Sequence, residues 1–384
     1  MSSTTLLERS PAGAAESARD LAPAIVASST VLPEHRYRQD DLFQTFDAIM
    51  PNSTLKDGLA ERLFDHVGVV ERYLALPKER YAALRGFQDR NDAWIEVAIQ
   101  LGNRAVLAAL DEAELDASEV GMLMTTTVTG VAVPSLDARL MNRIAFPPDL
   151  VRMPLFGLGC LGGAAGVARV ADWLRAYPDR CAMLLSVELC SLTFQADDWS
   201  VANAVSCGLF GDGAAAVILA GAEHPLAARR GRAASPRVVA SRSTFFPETE
   251  RVMGWDIGDN GFKVVLSTDV PRIVRDHAPG AVDGLLAEHG LTRADVGAWV
   301  MHPGGPKVID AMEDGLGLGR GALAATRESL ARIGNLSSAS VLFLLDEQRR
   351  RRRSPGGGHY GILMAMGPAF CAETVLLRFE GEQP

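Results

Sequence analysis

Apolar and polar positions follow two periods along the chain, and these periods predict a succession of helices and strands. Apolar residues recur at helical spacing over residues 94–110 and again over residues 273–289, as in amphipathic helices. Each stretch leads into a short apolar run of strand length, the second of them at residues 298–301. The longest apolar runs, such as 214–220 and 341–345, are sized for a strand or a core helix. This order of elements predicts mixed α/β layers.

Two pairs of similar segments indicate an internal repeat. LDASEVGMLMTTT begins at Leu115 and LTRADVGAWVMHP begins at Leu291, 176 residues later, with Leu, Val and Gly in register. GCLGGAA from Gly159 pairs with GNLSSAS from Gly334 at an offset of 175 residues. The nearly equal offsets predict two copies of one strand–helix unit. They place Cys160 and Asn335 at equivalent helix starts.

Length and local composition predict a tail and two halves. A chain of 384 residues is too long for one ordinary core. Residues 1–22 are small, polar and charged, without the apolar segment of a signal peptide, and we expect a disordered tail. The two copies then correspond to an N-terminal half over residues 23–228 and a C-terminal half over residues 236–384.

Charge and cysteine content exclude several classes of function. The net charge of −9 argues against nucleic-acid binding, which needs a basic face, and no apolar run is long enough for stable insertion into a membrane. Five cysteines without a Cys-x-x-Cys pair favour a reducing cytoplasm and predict no metal site. The basic run at residues 349–353 reads as a solvated helix end.

Three polar residues stand where an α/β fold places chemistry. Cys160 lies between a glycine-rich turn and a helix start, where the helix dipole would lower the pKa of a thiol; the alternative is a small buried residue. His302 directly follows the strand at 298–301, and Asn335 offers an uncharged donor for an oxyanion. The trio also fits a papain-like protease, but the cysteine is far from the N-terminus and its surroundings differ, so carbon–carbon bond formation is favoured.

Four motifs taken together carry a family resemblance. GLGCLGGAAG around Cys160, LFGDGAAAVIL from Leu209, HPGGPKVID from His302 and GNLSSASVLFLLDE from Gly334 resemble a type III polyketide synthase of the chalcone-synthase superfamily. The likeness extends to GILMAMGPAFCAETVLLRF near the C-terminus. It implies a thiolase fold with two pseudo-repeated halves in an αβαβα sandwich, and a homodimer. It further implies CoA thioesters as substrates, without a metal or organic cofactor.

The resemblance also implies roles for individual residues. Cys160 matches the acyl-carrying nucleophile, and His302 and Asn335 match the pair that assists decarboxylation of malonyl-CoA. The positions that match gatekeeping or cavity residues are Phe210, Phe262, Thr193, Cys190 and Ser337. Those that match CoA-binding residues are Arg62 and Lys307.

Within the superfamily, SVELCSLTFQ, VPSLDARLMNR and MGWDIGDNGF look most like bacterial alkylresorcinol and alkylpyrone synthases. We therefore expect a fatty acyl-CoA starter, extended with malonyl-CoA and cyclised. One alternative is a malonyl-primed enzyme such as a tetrahydroxynaphthalene synthase. Another is a fatty-acid-initiating β-ketoacyl synthase, which uses malonyl groups on acyl carrier protein.

Overall fold

A computed structural model of the chain describes residues 21–50, 58–198, 200–229, 235–351 and 359–379. The strands are β1 Ala24–Val31, β2 His35–Arg38, β3 Glu71–Leu74, β4 Val120–Thr127, β5 Val151–Phe156, β6 Cys181–Leu189, β7 Asp212–Ala220, β8 Arg237–Phe245, β9 Met253–Gly258, β10 Gly261–Leu266, β11 Val296–Met301, β12 Tyr360–Gly367 and β13 Cys371–Arg378. The helices are α1 Gln39–Ile49, α2 Leu59–His66, α3 Gly86–Ala113, α4 Leu136–Met141, α5 Gly162–Ala176, α6 Val201–Leu209, α7 Val270–Glu288, α8 Pro306–Leu316, α9 Ala324–Ile333 and α10 Ser340–Arg350.

Nine strands form a sheet in which one strand order occurs twice. The order is β11-β12-β13-β8-β1-β7-β6-β4-β5. In the N-terminal half β4 is parallel to β6, β6 is antiparallel to β7, and β7 is antiparallel to β1. In the C-terminal half β11, β12, β13 and β8 repeat these directions in the same order. The two halves meet where Ala24 of β1 pairs with Arg237 of β8. The internal repeat predicted from the sequence is therefore present in the fold.

Helices cover both faces of the sheet in each half and give five layers. Successive side chains of β6 and β7 alternate between a core against α3 and a second core shared with α5 and α10. In the C-terminal half β12 and β13 alternate between that shared core and a third core against α7 and α8. The layers therefore run α3, sheet, α5 with α10, sheet, and α7 with α8. Burial on both faces explains why these strands read as continuous apolar runs.

The helices predicted from periodicity are confirmed, with longer bounds. α3 includes the predicted 94–110 segment and begins two turns earlier, and α7 covers all but the last residue of 273–289. The predicted equivalence of Cys160 and Asn335 holds only approximately. α5 begins two residues after Cys160, whereas α10 begins five residues after Asn335, because a 3-10 turn over Ser337–Ala339 intervenes.

Two expectations about the ends of elements need correction. Residues 1–20 of the predicted tail lie outside the described residues, but Ala22 is fully buried and its carbonyl accepts a hydrogen bond from Arg237 at 3.1 Å, so the packed chain includes it. The basic run is not a uniformly solvated helix end. Arg349 is buried and donates to Ser28 and to Glu112, because α10 lies in the central layer. Residues 352 and 353 of the run lie outside the described residues.

Candidate active site

The three candidate catalytic residues, Cys160, His302 and Asn335, line one cavity of about 340 Å³, the catalytic cavity. Phe210 and Lys307 line it as well, whereas much of the remaining surface is apolar and comes from α6, α7 and β12. No aspartate or glutamate of the described chain belongs to this lining. The cavity is therefore an apolar space with a small number of polar groups, as is typical of a binding site for small molecules.

Cys160 lies in a 3-10 turn, Gly159–Leu161, that leads directly into α5. The turn requires a positive φ of 54° at Gly159, where a Cβ atom would lie 2.4 Å from the ring of Pro368. Only glycine meets both conditions without strain. The thiol of Cys160 contacts the hydroxyl of Ser337, with 3.7 Å between Sγ and Oγ.

His302 directly follows β11, as predicted, and its backbone N–H donates to Met364 of β12 at 3.0 Å. The side chain is buried, and neither ring nitrogen has a hydrogen-bond partner within the described chain. A neutral imidazole carries one donor and one acceptor nitrogen. Both functions are therefore available to groups in the cavity.

Backbone pairing and its own side chain fix the position of Asn335. Its N–H donates to Leu209, and its carbonyl accepts from Gly211, each at 2.9 Å. The side-chain Oδ1 accepts a hydrogen bond from the N–H of Ser337 at 2.8 Å. Because Oδ1 is engaged in this way, the amide Nδ2 is the group that can donate into the cavity.

Burial dominates the electrostatics of the site. It raises the pKa of the Cys160 thiol to about 12, with a further increase from the charge of Glu188, although the hydrogen bond to Ser337 acts in the opposite direction. Burial also lowers the pKa of His302 to about 4. The lower thiol pKa that the helix start predicts is therefore wrong for this site, because burial removes the hydration that a thiolate needs. At neutral pH the pair consists of a thiol and a neutral imidazole.

The structure divides the predicted cavity residues among three places. Phe210 lines the catalytic cavity and also a second cavity that contains Thr193 and Cys190. Ser337 contacts Cys160 itself. Phe262 is buried in an aromatic cluster, with its ring centroid 5.4 Å from Phe87, and it does not belong to the lining of either cavity.

The two predicted CoA-binding residues lie at different places relative to the catalytic cavity. Lys307 is exposed, lines the cavity and follows Pro306 in the first turn of α8. Arg62 is exposed on α2 and does not line the cavity, but its neighbours Leu63 and His66 do. A helix start and a lysine both favour a bound anion.

Sequence reasoning missed Glu188, a buried acid in β6. Its carboxylate accepts hydrogen bonds from the hydroxyls of Thr129, at 2.9 Å, and Ser338, and from the N–H of Val128 at 3.1 Å. Burial raises the pKa of this carboxyl group. The available signal was a single charged residue within the otherwise apolar and small-residue run at 181–189.

Two properties of the described residues concern membrane insertion and metal binding. None of their helices has the length and apolar character needed to cross a bilayer. Nor do three of their histidine, cysteine, aspartate or glutamate side chains come together where they could hold a metal ion. The cytoplasmic location and the independence from cofactors stay predictions.

Family models for the N-terminal and C-terminal domains of chalcone and stilbene synthases match residues 12–224 and 237–380. The chain belongs to this family. The polyketide synthase is 48% identical to the 1,3,6,8-tetrahydroxynaphthalene synthase of Streptomyces peucetius subsp. caesius over 94% of each chain. It is 34% identical to a putative chalcone synthase of Bacillus subtilis strain 168, over 93% of this chain and 98% of the relative.

A solved structure of the family extends the comparison to the fold. The crystal structure of 1,3,6,8-tetrahydroxynaphthalene synthase from Streptomyces coelicolor A3(2), a bacterial type III polyketide synthase, superposes with a TM-score of 0.84 at 30% identity. The match covers 93% of this chain and 99% of that one. This polyketide synthase therefore has the five-layered thiolase fold, and it is an acyl-transferring enzyme of the type III class.

Proposed function

We propose that this type III polyketide synthase builds its product from malonyl-CoA alone, using malonyl-CoA both as starter and as extender. The observation that carries the catalytic part is the convergence of Cys160, His302 and Asn335 on one cavity. The choice of starter is supported by the 48% identity with a tetrahydroxynaphthalene synthase. This choice takes the malonyl-primed alternative in place of the fatty acyl starter that the sequence motifs favour.

In the loading step, the Cys160 thiol attacks the carbonyl carbon of the CoA thioester. Because His302 is neutral at physiological pH, it can accept the thiol proton as the new carbon–sulfur bond forms. That proton is then passed to the departing CoA thiolate. The enzyme is left acylated on sulfur and His302 is left neutral.

In the extension step, the bond between the α-carbon and the carboxylate of a second malonyl-CoA breaks and CO₂ leaves. The electron pair stays on the remaining thioester as an enolate, whose oxygen accepts hydrogen bonds from the His302 ring N–H and Asn335 Nδ2. The enolate carbon attacks the acyl-cysteine carbonyl, and Cys160 departs as a thiolate. Donors held in place before charge develops lower the barrier without a strong base.

We infer that Lys307, at the start of α8, contributes to binding the CoA phosphates. Its place on the cavity lining and the lack of acidic residues among the described lining residues support this assignment. Arg62 lies on α2 beside the lining residues Leu63 and His66, so its contribution is a longer-range attraction for the same anion.

A fatty acyl starter is the second candidate, and the apolar lining of the catalytic cavity favours it. Val205, Leu209, Val274 and Met366 present side chains that an alkyl chain would contact. Such a lining favours apolar ligands through the hydrophobic effect. The two candidates differ in which starter is loaded and share the same extension chemistry.

The test supplies purified protein with labelled malonyl-CoA, either alone or with acyl-CoAs of several chain lengths. We expect product from malonyl-CoA alone, with no carbon from the acyl-CoA starters. Product that requires a fatty acyl-CoA would instead establish the second candidate. A requirement for malonyl groups on acyl carrier protein would establish a fatty-acid-initiating synthase.

Cys160→Ala tests the separation of roles. We expect chain extension to fall at least about 100-fold while decarboxylation of malonyl-CoA to acetyl-CoA continues, because His302 and Asn335 remain in place. Asn335→Ala should lower both reactions. Full chain extension by the Cys160→Ala variant would remove the nucleophile assignment.

A further inference from the structure

A second cavity of about 90 Å³ lies beside the catalytic cavity, and Phe210 forms part of the wall of both. Its lining includes Cys190 and Thr193, together with Phe46 and Phe64. It is much smaller than the catalytic cavity of about 340 Å³, so its size suits the end of an acyl chain better than a complete long alkyl chain.

A buried cation, Arg72 of β3, belongs to the lining of this second cavity. Its side chain has 4% of its surface exposed. Nε donates to Gln39 Oε1 at 3.1 Å, and Nη1 donates to the carbonyl of Phe210 at 2.6 Å. Both acceptors are neutral. Burial lowers the pKa of Arg72 to about 10, so the group still carries its charge at neutral pH.

Arg72 lacks an anionic partner among the described residues. None of their carboxylate oxygens lies within 4.0 Å of its guanidinium nitrogens. The acid that acts on it through space, Asp212, accepts hydrogen bonds from the N–H groups of Ala75 and Ser191 instead. A buried charge is costly unless it is paired, so a cation held in this way at a cavity wall indicates an anionic ligand.

The rest of the lining points to the same chemistry. Lys78 is a second basic residue of the lining, with its ammonium 5.4 Å from the ring centroid of Tyr37, and no described aspartate or glutamate belongs to the lining. Ser206 is also a lining residue, and its buried Oγ has no hydrogen-bond partner among the described residues. The second cavity thus combines positive charge, an unused hydroxyl group and apolar walls, which suits a carboxylate at the end of a carbon chain.

The second cavity is also close to the reacting sulfur. Cys190 on its wall interacts electrostatically with Cys160 and with Arg72, so it lies near both residues. The backbone of Phe210 forms a parallel bridge with Asn335 and accepts the hydrogen bond from Arg72. Phe210 therefore contacts Arg72 and also lines the cavity that contains Cys160.

We propose that Arg72 binds the free carboxylate of the acyl chain carried by Cys160, with the end of that chain in the second cavity. The inference rests on the proposed priming by malonyl-CoA, since transfer of an intact malonyl group to sulfur leaves a carboxylate at the far end. Pairing with Arg72 stabilises the carboxylate and holds it away from the donors His302 and Asn335. The starter thus keeps its carboxylate, whereas the extender, held at those donors, loses CO₂.

The test compares succinyl-CoA with butyryl-CoA, two starters of equal chain length that end in a carboxylate and in a methyl group. Both are offered at equal concentration without malonyl-CoA, and acylation of Cys160 is measured by mass spectrometry of the intact protein. We expect wild-type protein to load the succinyl group about tenfold faster, the scale of one charge-assisted hydrogen bond. Equal loading would overturn the proposal.

Arg72→Gln keeps hydrogen-bond donors for Phe210 and removes the charge. We expect it to lose the succinyl preference while butyryl loading stays within about twofold, whereas Arg72→Lys should keep part of the preference. An equal loss of both loadings would assign Arg72 a structural role and overturn the proposal. Should Arg72→Gln fail to fold, Ser206→Asp supplies a carboxylate to the second cavity and should remove the preference by neutralising Arg72. A preference that persists in Ser206→Asp contradicts the proposal.

These outcomes are separate from those of the priming experiment. Product from malonyl-CoA alone together with equal succinyl and butyryl loading would sustain the proposed function and remove the Arg72 site. A succinyl preference in a protein that forms no product from malonyl-CoA alone would sustain the Arg72 site and remove the proposed priming by malonyl-CoA.

Discussion

At the scale of single residues, the reactivity of Cys160 depends on its burial in the cavity more than on the helix start. Burial raises the pKa of the thiol to about 12 and lowers that of His302 to about 4. The thiolate alone would be strongly disfavoured in this cavity. The neutral imidazole of His302 on the same cavity offers the proton acceptor that the helix start alone does not supply.

This pairing predicts an unusual pH profile for alkylation of Cys160 by iodoacetamide. Because His302 stays neutral until the pH approaches about 4, the rate should be nearly constant between pH 5 and pH 8. In His302→Gln the rate should instead rise about tenfold per pH unit, as for a thiol that ionises unaided. A wild-type rate that rises in the same way would show that His302 does not assist Cys160.

Substitutions at Arg349 and at Arg351 should change the stability of the protein by different amounts, although both residues belong to the basic run at residues 349–353. It is buried and donates to Ser28 and Glu112, whereas Arg351 is exposed and pairs with Glu347. Arg349→Met should lower the free energy of unfolding by about 2–3 kcal/mol, less than for a fully buried pair because Glu112 retains access to water. Arg351→Met, the matched control, should change it by less than about 0.5 kcal/mol. Equal losses in urea denaturation would contradict this difference.

At the scale of elements, the contact between α5 and the turn before α10 is built on glycine. A Cβ atom on Gly163 would lie 2.2 Å from the backbone oxygen of Ser338, and one on Gly162 would lie 2.6 Å from Thr126 Oγ1. The two halves can approach this closely only where side chains are absent. The same contact holds Cys160 next to Ser337, so close packing and the position of the nucleophile have one origin.

Gly163→Ala should therefore destabilise the protein by about 1–3 kcal/mol, because the clash is with backbone and cannot be relieved by a rotamer change. Gly280 of α7 is the control, since a Cβ there meets no atom of the described residues within 4 Å. Gly280→Ala should stabilise the protein by about 0.5–1 kcal/mol. The measurement is the midpoint of chemical denaturation, and a neutral Gly163→Ala would contradict the packing argument.

At the scale of the whole molecule, one edge of the sheet is apolar and exposed. β5 is an edge strand that pairs only with β4 in the described chain, and it presents exposed Val151 and Phe156. Val133, in the loop after β4, is 98% exposed. Pro154 has no backbone N–H, so the row of donors along β5 is interrupted there, which disfavours direct addition of another strand. We propose that a second copy of the chain packs on these side chains and forms a homodimer.

Light scattering should accordingly give twice the 41.0 kDa of the single chain. Val151→Asp should shift the protein toward the monomer, because it places a charge in the apolar contact. Leu107→Asp, at an exposed apolar position of α3 outside this edge, should leave the mass unchanged. A monomeric wild-type protein at micromolar concentration, or equal effects of the two substitutions, would remove the proposed surface.

Local patterns along the chain are enough to predict the layered α/β fold, the repeat and the positions of the three candidate catalytic residues. Apolar periodicity follows directly from burial on one or both faces of an element, so α3, α7 and β11 could be predicted from local pattern. The short motifs around Cys160, His302 and Asn335 preserve the turns that position them. For that reason the resemblance of these short motifs is enough to indicate the family.

The charge states, the separation of the two cavities and the burial of cations depend on contacts between distant segments. The pKa values of Cys160 and His302 depend on how much water surrounds them, which no local pattern records. Arg72 and Arg349 look like surface residues in the sequence, yet both are buried because β3 and α10 pack against other elements. Solvation and long-range charge pairing arise when distant segments meet, and they set the chemistry of this site.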